Sequence, residues 1–272
     1  MKKVLLAFDG KHFSQGMFEF AKYLNEKQPV LLAGVFLPTI EFTEQLYSFG
    51  GVTGPIYFPE LNLEENQGVE KNIEQLKTLC QKQGIEYRVH DAPVQHIIDE
   101  LKKETRYADL LIAGSELFYE NPGEDTQRDY LENLLHKAEC PVIIVPEKYA
   151  VPESVILAYD GSEDSVYAIK QFAYLLPELT SLKSILVYAS TENNVPDMSY
   201  IEELAARHFS DITFFRLEAN PEKYFDTWLT DNKNTILVAG AYARNFLSEF
   251  LKKSFINKTM LEHKLPIFIA HK

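Results

Sequence analysis

Two aspartates stand at the ends of apolar runs, and glycine follows each. One lies in VLLAFDGKHFS, Val4 to Ser14, the other in VILAYDGSEDS, Val155 to Ser165. A serine closes both phrases at the same distance from the glycine. A carboxylate in such a place accepts hydrogen bonds from the backbone two residues on and caps the helix that follows. Its other use is to face a ligand. For Asp9 the capping role is the expectation; for Asp160 both roles stay open.

The other residues with chemical potential form no familiar set. His12, His90, His96, His136, His208, His263 and His271 show neither HxxxH nor HExxH spacing, so no metal site is read from them. No GxSxG elbow and no GxGxxG dinucleotide fingerprint occurs. Lys252, Lys253 and Ser254 are not a Walker motif, because the glycine-rich run before them is missing. Cys80 and Cys140 make no CxxC pair and fall at apolar positions. Both are expected to be buried free thiols, which suits a reducing, cytoplasmic setting.

The 272 residues suffice for one large domain or two ordinary ones. With 46% hydrophobic and 25% charged residues the chain should bury a proper core. A net charge of -13 argues against a nucleic-acid surface, which needs a basic footprint, and against an anionic membrane. The opening MKKVLLAFDG meets Asp9 too early for a secretory core, and no run reaches the length of a membrane helix.

The elements that must position the aspartates repeat. After each DG turn an apolar stripe falls at helical spacing, on Met17, Ala21 and Leu24 and again on Ala168, Phe172 and Leu175. Strand, DG turn and helix open a parallel βαβ unit rather than a hairpin. The first copy continues with a strand at 30–36, a long segment at 38–68 and a helix through Val69, Ile73, Leu76 and Cys80. IEYRVHDAP, ADLLIAGS and CPVIIVP read as its further strands, with helices near Leu101 and at 131–138. The second copy offers LKSILVYAS, DITFFRLEA, NTILVAG and LPIFIA as strands, and MSYIEELAARHF, PEKYFDTWLTDN and 254–263 as helices. The seam PEKYAVPES, with two prolines, divides the chain into halves 1–148 and 149–272. The first half is longer, and most of its surplus falls in 38–68, a segment long enough to be functional or mobile.

These paired starts and ends resemble the universal stress protein family in its tandem two-domain form, over almost the whole chain. The resemblance rests on apolar-DG-x3-S, on the AG of LLIAGS and ILVAGA, and on HKAECPVIIVP and LEHKLPIFIA. It implies two Rossmann-like domains of the adenine nucleotide alpha hydrolase type. Each would be a five-stranded parallel sheet flanked by helices, with the last strands pairing antiparallel between domains as a pseudo-dimer. A homodimer of chains remains open. It also implies an adenine-nucleotide site, for ATP or AMP, at the carboxyl ends of the strands. In nucleotide-binding members Gly-x2-Gly-x9-Gly-Ser or Thr grips the phosphates, because glycine lets backbone approach closely and a helix N-terminus attracts anions.

Carried over residue by residue, the resemblance gives Asp160 to ribose or a metal and the backbone of Val187 to adenine. It gives Gly240, Ala243, Arg244, Lys253 and Ser254 to the phosphates. Here the motif reads G-x2-A-x9-K-S, with a lysine where a glycine belongs. A phosphate would then be held more by charge than by a glycine cradle. The plain alternatives are a helix cap for Ser254 and solvated charges for Arg244 and Lys253. In the first half Asp9, Val35 and Gly114 are the vestigial counterparts. Leu117 replaces the second glycine, Arg128 and Asp129 replace Gly-Ser, and Glu116, Glu120, Glu124 and Asp125 crowd the place. No triphosphate is expected there.

Three functions follow, in this order. The first is a regulatory stress-response protein with a nucleotide or other anion in its second half. The second is a nucleotide-free scaffold that captures a protein partner through 38–68. The third, a slow nucleotide hydrolase, comes last because no catalytic base or metal set can be named.

Overall fold

A computed structural model of the chain describes residues 1–9, 12–37, 63–90, 97–115, 137–189, 195–217, 234–240 and 265–272. Most of the segment 38–68 and the helices expected at 131–138, at PEKYFDTWLTDN and at 254–263 lie outside the described residues. So do Ala243, Arg244, Lys253, Ser254 and the acidic run after Ser115.

Contacts divide the chain into two compact units, Met1–Glu139 and Cys140–Lys272. In the first, β1 (Lys2–Asp9), β2 (Val30–Leu37), β3 (Glu86–His90) and β4 (Leu110–Gly114) form a parallel sheet in the order β3-β2-β1-β4. Its helices are α1 (Gln15–Lys27), α2 (Leu63–Gln83) and α3 (Ile97–Arg106). All of β4 is buried, as expected of a parallel strand covered on both faces. Leu76 of α2 sits on Gly34 of β2, where any Cβ would strike its side chain. The helix begins at Leu63, inside the segment 38–68, and its buried positions come later. They are Asn72, Leu76 and Cys80.

The second unit contains β5 (Val142–Val145), β6 (Ser154–Tyr159), β7 (Lys183–Ala189), β8 (Ile212–Leu217), β9 (Thr235–Gly240) and β10 (Ile267–Ala270), in the order β5-β10-β9-β6-β7-β8. Helices α4 (Glu163–Leu175) and α5 (Met198–His208) belong to it. Every pairing among these strands is parallel except one. The last strand of the first repeat, β5, runs antiparallel to the last strand of the second, with Ile144 opposite Ile267 and Val142 opposite Ile269. This pairing places β5 with the second unit, so the division by contact falls ahead of β5 and not at the proline seam.

The thiols differ from expectation in one case. Cys80 is buried, and that burial pushes its pKa up to about 11, so it stays protonated and inert. Cys140 is only half-buried, because it precedes β5 rather than lying within it.

The core of the second unit centres on Phe172. It is fully buried on α4, lies parallel to Phe209 at 6.4 Å between centroids, and meets Phe268 of β10 edge-on at 5.4 Å. Its ring therefore joins a helix, a helix end and a strand. Phe172→Ala should cost about 3–5 kcal/mol of stability, read as a lowered urea midpoint. A midpoint unchanged from wild type would remove Phe172 from the core.

Candidate functional site

Each unit has one place where the strand order reverses. From β6 the chain steps outward to β7 and β8, then returns to the other side of β6 for β9. Open α/β sheets bind ligands outside the carboxyl ends of the strands at such a reversal. At this one, Asp160 directly follows β6 and Gly240 ends β9, with Leu157 opposite Val238 in the shared register. The first unit reverses between β1 and β4, which end at Asp9 and Gly114. The structure thus brings Asp160 and Gly240 to one crevice and Asp9 and Gly114 to its counterpart.

Asp160 is held by its own turn. Its Oδ1 accepts from the Ser162 backbone N–H at 2.9 Å and from the Ser162 hydroxyl at 2.6 Å. Ser162 is the N-cap of α4, and its Oγ accepts from the Ser165 N–H at 3.1 Å. A relay therefore runs from the first turn of the helix through Ser162 to the carboxylate. Between them Gly161 takes φ +80, the left-handed region that favours glycine.

The repeated serine has two different jobs. Ser14 is the N-cap of α1 and accepts from the Met17 N–H at 3.3 Å. Phe13 before it packs on Phe18 at 6.1 Å, a hydrophobic staple. Its repeat partner Ser165 is already inside α4, fully buried, with its hydroxyl donating to the Ser162 carbonyl at 2.9 Å. The helix of the second half starts one turn earlier. Glu163 and Asp164 are the signal for this in the sequence, because acidic residues favour the first turn.

Gly240 meets α4 backbone to backbone. A Cβ on it would lie 2.5 Å from the Asp164 carbonyl carbon and 2.7 Å from the Ser165 nitrogen. The first requirement on this glycine is thus helix packing. Asp164 and Glu163 also face the tail: Asp164 Oδ1 accepts from the Lys272 backbone N–H at 3.3 Å, and Lys272 Nζ is 3.4 Å from Glu163. The positive end of α4 is therefore already met by its own carboxylates. A phosphate in this crevice needs its grip from the chain that follows Gly240.

Val187 lies within β7, paired with Ala158 on one side and Phe215 on the other, and the strand runs on to Ala189. Its backbone is inside the ladder; the strand end that faces the crevice is Ala189. Val35 is likewise inside β2, between Ala7 and His90. Two residues that the sequence reading passed over shape the mouth. Tyr159 is buried at the end of β6, and its hydroxyl donates to the Pro196 carbonyl at 2.8 Å. Burial, helped by the carboxylates of Asp197 and Asp160, pushes its pKa up to about 12. In the first unit Phe8 stacks on Phe13 at 4.8 Å and on Phe36 at 4.9 Å.

The chain was compared with known proteins. A universal stress protein from Archaeoglobus fulgidus DSM 4304 superposes with a TM-score of 0.69 at 15% identity, covering 100% of this chain and 96% of the other. The fold is that of the universal stress proteins. Another universal stress protein, solved in complex with cAMP, aligns with 45% of this chain and 99% of its own at a TM-score of 0.33 and 16% identity. No family model matches the sequence, and no curated protein matches it. Among the described residues of this universal-stress-type fold, no group of side chains could hold a metal ion. No helix among them is long and apolar enough to cross a membrane.

The caps and the tight glycine carry measurable consequences. Ser162→Ala and Ser14→Ala should each lower stability by about 0.5–2 kcal/mol. Gly240→Ala should cost about 1–3 kcal/mol as α4 is forced outward. Chemical denaturation of the three variants checks this. A neutral Gly240→Ala would show that α4 can withdraw without loss.

Proposed function

We propose that the chain is a universal-stress-type regulatory protein of two halves, 1–148 and 149–272, with one adenine-nucleotide crevice in the second. The observation that carries the reading is the meeting of Asp160 and Gly240 at the reversal between β6 and β9. Asp160 would meet the ribose, and the end of β7 beyond Val187 the base. Gly240, Ala243, Arg244, Lys253 and Ser254 would meet the phosphates of ATP or AMP. The first half, with Asp9, Val35 and Gly114 as vestigial counterparts, would be its fixed partner.

A second reading has its own support. The Oδ1 of Asp160 is engaged by Ser162, and Pro196 packs against Gly161. Both suit a scaffold that holds no nucleotide and captures a protein partner through 38–68. Deleting that segment should then abolish capture while leaving stability intact.

The test of the first reading is direct. Protein purified without added ligand is denatured and the supernatant assayed for nucleotide; ATP and AMP are then titrated by calorimetry. Asp160→Ala should weaken binding by roughly 10- to 100-fold, the loss expected for a hydrogen bond to a charged group. No retained nucleotide and no heat at millimolar ligand would leave the scaffold reading.

A further inference from the structure

Tyr159 and Gly161 flank Asp160, and both touch the same short stretch of chain. The Tyr159 hydroxyl bonds the Pro196 carbonyl at 2.8 Å. A Cβ on Gly161 would lie 2.7 Å from the Cβ of Pro196, so ring and glycine are in close contact. The stretch 195–197 is therefore fastened to the DG turn at two points, one on each side of the carboxylate. Asp197 completes it with φ 48, a left-handed conformation that a non-glycine residue keeps only when its surroundings hold it there. From that position its carbonyl accepts from the Tyr200 and Ile201 N–H groups at 2.9 and 3.1 Å and starts α5.

The fastening hydroxyl has no counterpart at the same strand positions of the first half. The counterparts of Tyr159 and Tyr188, which face each other across β6 and β7, are Phe8 and Phe36 across β1 and β2. Neither has a hydroxyl. The fastening in the second half is one neutral hydrogen bond plus a proline–glycine contact. Such a bond contributes modestly once competition with water is counted, so it can open. Closed, it also brings the Asp197 carboxylate near Tyr159, on which Asp160 acts as well, and this added negative charge opposes an anionic ligand.

We propose that residues 195–197 are a latch on the second-half crevice, fastened by the Tyr159 hydroxyl, that sets how freely an anionic ligand reaches Asp160. The proposal rests on the reading that this crevice takes a nucleotide. The latch competes with the ligand: the fraction of molecules with the latch open scales the apparent affinity. Because Tyr159 keeps its proton up to about pH 12, the fastening is insensitive to pH across the physiological range.

Two variants of the full chain separate the parts. Tyr159→Phe keeps the ring and removes the fastening. Asp197→Asn keeps a residue that tolerates the left-handed region and removes the charge. Tyr188→Phe is the control for loss of a nearby hydroxyl. Amide hydrogen exchange without ligand is followed at Gly161, Ser162 and 197–201, and ATP is titrated into each protein.

Tyr159→Phe should speed exchange at those amides and raise ATP affinity, each by roughly 2- to 10-fold. Asp197→Asn should raise affinity by a similar factor, and Tyr188→Phe should change neither readout. Unchanged exchange in Tyr159→Phe overturns the latch, whatever ATP does. Faster exchange with weaker or unchanged ATP binding overturns it as well, since the contact is then a brace. Faster exchange with no ATP binding in any of the proteins removes the nucleotide reading and with it the latch's role in ligand access, leaving only the Tyr159 fastening.

Discussion

At the carboxyl end of β9 the backbone of Gly240 lies against the backbone of the first turn of α4, and no side chain fits between them. Much of the second half follows from that contact. It sets how close the helix comes to the sheet, and so where the N-cap Ser162 sits. Ser162 in turn holds Asp160, and the DG turn between them brings Gly161 under Pro196. A single absent methyl group thus aligns the end of one strand with the start of the helix that follows its neighbour. The glycine that a nucleotide reading would assign to phosphate approach is needed by the fold before any ligand arrives.

The two halves use one plan and finish it with different chemistry. Both reverse their strand order at the first strand, and both carry the sequence Asp-Gly there. In the first half the rings of Phe8, Phe13 and Phe36 stack at the mouth. In the second, Tyr159 and Tyr188 occupy the places of Phe8 and Phe36, with centroids 6.3 Å apart. Two hydroxyls distinguish the pairs. One of them, on Tyr159, recruits the Pro196 carbonyl from the next connection. All four rings are buried, so the difference between the pairs lies inside the core at the ends of the strands.

The fold was legible because parallel strands buried on both faces write continuous apolar runs. LLIAG and TILVAG could be read as strands from that alone, and their buried patterns agree. The DG turns and the helical stripes after them were equally plain. The start of α4 was not read: the serine repeats in both phrases, but the acidic pair Glu163–Asp164 marks a start one turn ahead of Ser165. Tyr159 and Pro196 were invisible for a different reason. They lie far apart in sequence, and nothing in either neighbourhood announces a bond that depends on how the connection after β7 folds back. Val187 was placed by likeness to a family and not by local pattern, and the ladder continues past it to Ala189.

The strand β5 belongs to the first repeat by descent and to the second unit by its bonds. The compact second body is therefore not the same length of chain as the duplicated second half. A fragment beginning at the proline seam would carry the whole repeat yet leave β10 with a bare edge, a surface on which strands of other molecules add readily. One beginning at Cys140 would keep β5 on that edge of β10. The repeat and the contact unit are thus divided at different peptide bonds, and the edge of β10 is covered only because the first half ends on it.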